Sequence, residues 1–231
     1  MRIVLWLSAV LLASVGGPVA AQDSPEARKA CEGSERDYSL AARLTGCTAV
    51  IAAGTASSSY LAITFVSRGL AYEERNDHNH AIADYSEAIR LKPDFETAFV
   101  IRGQAYEGRN DHDHAIADYT EAIRLRPDFE TFGLRGWAYE GLNDHDRAIA
   151  DYNEVIRLKP DNAGAFYSRA LVYSHRNQND RAIADYSEAI RLKPDYAIAF
   201  YNRGVIKATL GRKDEAAADF ARAKAIDPAI Q

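Results

Sequence analysis

From about residue 62 onward the chain alternates two kinds of amphipathic stretch. The first kind, for instance ETAFVIRGQAYEGR, carries Phe99, Gly103 and Tyr106; the second, for instance HAIADYTEAIRLR, carries Ala115, Ile116, Tyr119, Ala122 and Ile123. Spacings of three and four put each set on one face of a helix. A few polar residues separate the two helices of a pair, which predicts an antiparallel hairpin, and a proline just past the second helix blocks its extension. Those prolines, Pro93, Pro127, Pro160, Pro194 and Pro228, lie 34, 33, 34 and 34 residues apart. One such hairpin cannot bury its apolar face alone, whereas a stack of them can. The pattern therefore predicts an all-α fold, an α-solenoid of antiparallel helix pairs repeated five times over residues 62–231. The short spacing is read as a residue missing between Thr131 and Phe132, in the inter-repeat turn, so that the helices keep their length.

The recurring residues resemble the tetratricopeptide repeat, a pattern of aromatic, glycine, tyrosine, alanine, aromatic, alanine and proline at fixed intervals. Phe65, Gly69, Tyr72, Ala81, Tyr85, Ala88 and Pro93 carry it in the first unit, and Phe99, Gly103, Tyr106, Ala115, Tyr119, Ala122 and Pro127 in the second. The third unit has Val155 for the later alanine, the fourth Ala170 for the glycine and the fifth Lys207 for the tyrosine. What the resemblance implies is a concave groove lined by the first helices, which in the family binds peptides or partner proteins. Carried over position by position, that partner-binding groove comprises Val66, Leu70, Val100, Gln104, Trp137, Tyr167, Leu171 and Tyr201. Trp137 and the two tyrosines are the expected anchors, because large amphipathic aromatics dominate interfaces; Leu70 and Leu171 equally suit packing between repeats. The family's clamp for a C-terminal carboxylate requires lysine and asparagine where this chain has Val66 and Leu70. The expected occupant is instead an apolar extended or helical segment of a protein or peptide partner.

One departure from the family pattern is systematic. The leucine that normally precedes the glycine is Arg68, Arg102, Arg135, Arg169 and Arg203, and each arginine is followed in the same register by Asp84, Asp118, Asp151, Asp185 or Asp219. In a hairpin turning near its midpoint these residues lie opposite each other, which predicts an Arg–Asp pair across every unit. As exposed pairs they would contribute about 0–1 kcal/mol each and serve mainly to fix register. A row of arginines for an anionic ligand is the weaker reading, since each has an acid at hand.

The stretch NDHDHAIADY, with its near copy NDHNHAIADY, looks like a metal site until the repeat places it at the turn between two helices. There Asn110 suits a left-handed helix end and Asp113 suits an N-cap, His112 replaces a packing aromatic, and His114 starts the next helix facing elsewhere. A tetrahedral site needs three or four convergent ligands, and His78, His80, His112 and His114 come from separate turns, so no metal is assigned; a metal-binding protein using these turns is the alternative function. No nucleophile–histidine elbow or glycine-rich phosphate loop occurs, and neither an enzyme nor a cofactor is expected. A net charge of −5 without a basic stripe argues against nucleic acid.

Residues 1–21, MRIVLWLSAVLLASVGGPVAA, read as a cleavable signal peptide; an uncleaved anchor is the weaker alternative, since the apolar run from Ile3 to Ala13 is shorter than the ~20 residues of a membrane span. Export to the periplasm or outside a bacterial cell follows, and in that oxidising setting Cys31 and Cys47 are expected to form one disulfide. Residues 22–61 read as an N-terminal helical hairpin stapled by that bond and joined through TASSS to the array, whose first apolar side it covers. At the other end, Ala217 and Lys224 stand where inner units carry isoleucines such as Ile82 and Ile89, which suits a last unit that needs no neighbour.

Overall fold

The computed structural model describes residues 23–33 and 36–230, and among these the chain forms twelve α-helices and no strand. The segment read as a signal peptide lies outside the described residues. The cap consists of α1 (Pro25–Glu32) and α2 (Leu40–Ala53). The array follows as α3 (Ser58–Glu73) with α4 (His78–Leu91), α5 (Glu96–Glu107) with α6 (His112–Leu125), α7 (Phe129–Gly141) with α8 (His145–Leu158), α9 (Ala163–His175) with α10 (Asn179–Leu192), and α11 (Ala197–Thr209) with α12 (Lys213–Ile226). Apart from α1 resting on α3, every extensive helix–helix contact joins elements adjacent in the chain. The architecture is therefore a solenoid whose core is distributed unit by unit.

Small residues let the two helices of a unit close. A Cβ on Gly69 or Gly103 would sit 2.4 or 2.6 Å from the ring of Tyr85 or Tyr119, so only glycine admits these fully buried tyrosines. Ala81, Ala115, Ala148 and Ala182 complete the contact at no exposure. Each turn reverses through a residue at positive φ, namely Asn76, Asn110, Asn143 and Asn177 at 55–57°, with Gly211 at 76° in the last unit. Asparagine reaches that left-handed region at lower cost than most side chains.

The five arginines each reach the expected aspartate. Nε and the Nη2 amine donate to the two carboxylate oxygens at 2.7–2.9 Å, a bidentate fork. The expectation that these pairs are exposed fails: the aspartate side chains retain only 6–10% of their accessible surface. The reason is a third partner. Nη1 of each arginine donates to a polar side chain of the preceding hairpin, Thr48, Ser86, Thr120, Asn153 or Ser187, so that preceding hairpin lies over the pair and shields it.

The array's first helix begins on the N-cap Ser57, so the last serines of TASSS belong to α3. The missing residue of the third unit is absorbed upstream of Thr131 and Phe132, which both lie within α7. There Asp128 becomes the N-cap and accepts from the Glu130 and Thr131 amides, the connection after Pro127 is shortened, and the helix keeps its length. Cys31 and Cys47 are bonded, joining α1 to α2. Arg43 of α2 pairs with Glu74, and the Tyr60 hydroxyl donates to Glu32 at 2.6 Å, tying the cap to the first unit. At the far end Ala217 and Lys224 are exposed.

Candidate functional site

The first helices present one continuous stripe. Relative to the arginine of each unit, the positions five before, two before and two after share a face. They read Ile63, Val66, Leu70 on α3; Thr97, Val100, Gln104 on α5; Glu130, Gly133, Trp137 on α7; Gly164, Tyr167, Leu171 on α9; and Ile198, Tyr201, Val205 on α11. Among the described residues, five of the eight large apolar side chains that stay exposed, Ile63, Leu70, Trp137, Ile198 and Val205, belong to this stripe, so the exposure is organised rather than scattered.

The residues expected from sequence divide into four groups. Val100, Gln104 and Trp137 meet in a trough of about 580 Å³ between α5, α7 and α9, with Leu134, Tyr152 and Val155 among its further lining. Tyr201 lies at the C-terminal end, its ring 5.6 Å from Phe220, and opens onto a separate hollow of about 390 Å³ with Lys224 and Ile230. Leu70 is 46% exposed at the N-terminal end. Val66, Tyr167 and Leu171 are half-buried and also pack between units. Tyr167 lies tilted against Tyr196 with ring centres 5.0 Å apart, and its hydroxyl accepts from Asn202 at 3.1 Å. The residues that periodicity alone would have added are Ile63, Ile198 and Val205, which continue the same stripe. Gly133 and Gly164 gave no signal, because their contribution is the space they leave.

The third unit is wired differently beneath the trough. In the first two units Glu73 and Glu107 accept from or pair with Nδ1 of His78 and His112 at 3.0 Å, and the hydroxyls of Tyr85 and Tyr119 are buried with no partner. In the third, the Tyr152 hydroxyl donates to Glu140, while His145 sits 6.1 Å from His175 instead. Burial holds the Glu140 carboxyl above its ordinary value despite that bond and the nearby histidines. Burial, reinforced by Glu140, likewise pushes the Tyr152 phenol up.

The histidine-rich turns are engaged locally. His112 starts α6 and meets Trp137 edge-on at 6.5 Å, while His114 stacks on Tyr106 at 4.9 Å. The N-cap of α6 is Asp111, whose carboxylate accepts from the His114 amide; Asp113 was expected there but lies in the first turn. Asn110 closes the preceding helix so tightly that the next begins two residues sooner than its apolar pattern indicates. Among the described residues no three His, Cys, Asp or Glu side chains converge on a point that could hold a metal ion.

A family model described as TPR repeat matches residues 69–109, 138–175 and 172–211, and one described as tetratricopeptide repeat matches 97–129 and 197–230. No curated protein matches the sequence significantly. Among solved structures the chain is similar to MamA, at 24% identity over 69% of this chain and 94% of that one, TM-score 0.67. It is similar to YrrB, described as a TPR protein with an unusual peptide-binding site, at 21% identity over 73% and 88%, TM-score 0.63. It is also similar to PilW, described as a widely conserved type IV pilus biogenesis factor, at 20% identity over 74% and 80%, TM-score 0.63. At these identities the likeness concerns the fold.

Proposed function

The chain belongs to the tetratricopeptide repeat family, and from that premise we propose that it is an exported interaction scaffold of the bacterial envelope, holding an apolar segment of a partner protein along its first-helix groove. The observation that carries this reading is the stripe itself: apolar side chains that stacking could have buried stay in solvent, in one line, on the helices that face the groove. Such a line is maintained where a partner covers it. On this reading the protein acts by binding, the role that the tetratricopeptide repeat serves in its family. YrrB, with its described peptide-binding site on the same fold, supports the class of partner.

Export is supported by the apolar leader and by the Cys31–Cys47 bond, which suits an oxidising compartment. No helix among the described residues is long and apolar enough to cross a membrane. The test is crosslinking in cells, with the captured protein identified by mass and its purified form titrated against the full chain. Trp137→Ala combined with Tyr201→Ala is expected to reduce affinity at least tenfold without changing helicity; unchanged affinity would move the interface off the groove. Fractionation with N-terminal sequencing tests export separately, and an intact N-terminus in the cytoplasm would overturn it.

A further inference from the structure

Resting on the groove reading, the geometry points to something narrower: the trough of the third unit is an anchor pocket for one bulky apolar side chain of a partner segment that carries lysine or arginine within about three residues of it. The groove is not uniform. At the position two before the arginine the helices carry Val66, Val100, Tyr167 and Tyr201, but α7 carries Gly133; at the position five before, α9 carries Gly164 where α3 and α11 carry Ile63 and Ile198. These two gaps lie on adjoining helices, and the trough opens over them. A Cβ placed on Gly133 would meet nothing nearer than the Val155 methyl at 3.8 Å, so packing does not demand this glycine. That separates it from Gly103 and Gly136, whose missing Cβ atoms admit tyrosine rings at 2.6 and 3.0 Å. The hollow is floored by Val155 and walled by Val100 and Trp137, an apolar seat reached from the groove.

Its rim has a sign. Arg126, the one cation of the lining, is bound to Glu96 at 3.0 Å, which leaves Asp128 and Glu130 at the N-terminal end of α7 without a basic partner among the described residues. Trp137 stands two helical turns away, about 10 Å along the axis. An extended segment covers that distance in about three residues. A side chain seated against Trp137 and Val155 therefore places the residue about three positions along the segment beside Asp128 and Glu130, where a cation is favoured and an acid repelled.

The test uses the full chain with Trp6→Phe, which leaves Trp137 as the sole indole. Three capped heptapeptides are titrated by indole emission and calorimetry: alanine with a central phenylalanine and a lysine three positions to each side, the same peptide with alanine at the centre, and the same with glutamates for the lysines. The first is expected to bind, the other two at least tenfold more weakly. Gly133→Val, which restores the side chain that Val66 and Val100 carry in this register, is expected to reduce binding of the first peptide at least tenfold with no loss of melting temperature. Binding unaffected by Gly133→Val but lost on Leu70→Ala with Tyr201→Ala would overturn the pocket and leave the groove reading standing. Equal binding of the glutamate peptide, equal binding of free phenylalanine amide, or no response to any peptide at millimolar concentration would each overturn the proposal.

Discussion

At the residue scale, the distinguishing feature is an arginine where the family pattern has leucine. Arg102 forks onto Asp118 at 2.7–2.8 Å and holds Ser86 of the preceding unit at 2.9 Å, so a single side chain joins both helices of one hairpin to the next. Truncating it strands a carboxylate whose side chain is only 7% exposed. Breaking such a pair costs on the order of 2–4 kcal/mol, whereas an exposed pair one turn apart on a helix such as Arg124–Glu121 is screened by solvent and contributes next to nothing. Urea unfolding should separate Arg102→Ala from Arg124→Ala by at least about 2 kcal/mol; near-equal losses would reduce the pair to a register mark. The pairing was legible in the constant spacing of arginine and aspartate, but the burial was not, because it depends on the neighbouring unit lying over the pair. Glu140 offers a second residue-scale test. Its folded-state carboxyl is raised by burial, so the folded chain holds that proton to higher pH than the unfolded chain does. The stability contributed by the protonated form is present below the unfolded value and is lost as pH rises through the folded one. From about pH 4, the ordinary glutamate value, upward, the stability of the wild type relative to Glu140→Gln should therefore fall with rising pH; a rise would mean that the Tyr152 hydrogen bond outweighs burial.

At the element scale, glycines on one kind of helix serve opposite ends. Alanine at Gly103 gains about 1 kcal/mol of helix propensity, but its Cβ would lie 2.6 Å from the ring of a fully buried Tyr119, and relieving such an overlap costs about 1–3 kcal/mol. Alanine at Gly133 collects the propensity with nothing in its way. Thermal unfolding should therefore show Gly103→Ala less stable than the parent by up to about 2 kcal/mol and Gly133→Ala more stable by about 0.5–1 kcal/mol. Stabilisation by both would remove the argument that tyrosine packing selects the first glycine. Helix existence and order were legible because apolar periodicity repeats through every unit. Helix starts were less so: Asp111 rather than Asp113 caps α6, and Asp128 caps α7, since the cap is set by where the left-handed asparagine or shortened turn releases the backbone. For the groove, residues followed from periodicity but depth did not, since Gly133 and Gly164 act by absence and a sequence does not show which helices adjoin across the gap.

At the scale of the whole molecule, contacts run almost entirely between neighbours in the chain, so stability should behave as a sum of unit terms and interfaces rather than as one core. The cap makes this testable. It is a short hairpin whose α1 has Cys31 as its buried apolar residue, and the bond to Cys47 closes a loop with a sequence separation of 16. Such a closure contributes about 3 kcal/mol on the chain-entropy account, most of what a hairpin this small could hold in reserve. Once it is reduced, what remains is the packing of α1 and α2 on α3 and a few side-chain ties, among them Arg43 with Glu74, Tyr60 with Glu32 and Arg68 with Thr48. Loss of the cap uncovers the near face of α3 and removes Thr48 from the Arg68–Asp84 pair that ties α3 to α4, but α5 through α10 keep both of their neighbours and their Arg–Asp pairs. Hydrogen exchange read by mass spectrometry should then show, on reduction, protection lost in α1 and α2, weakened in α3 and α4, and unchanged from α5 to α10, where the trough lies. Protection lost uniformly to α12 would instead mean that the array unfolds as one unit, and that the groove depends on the redox state of a bond at its far end.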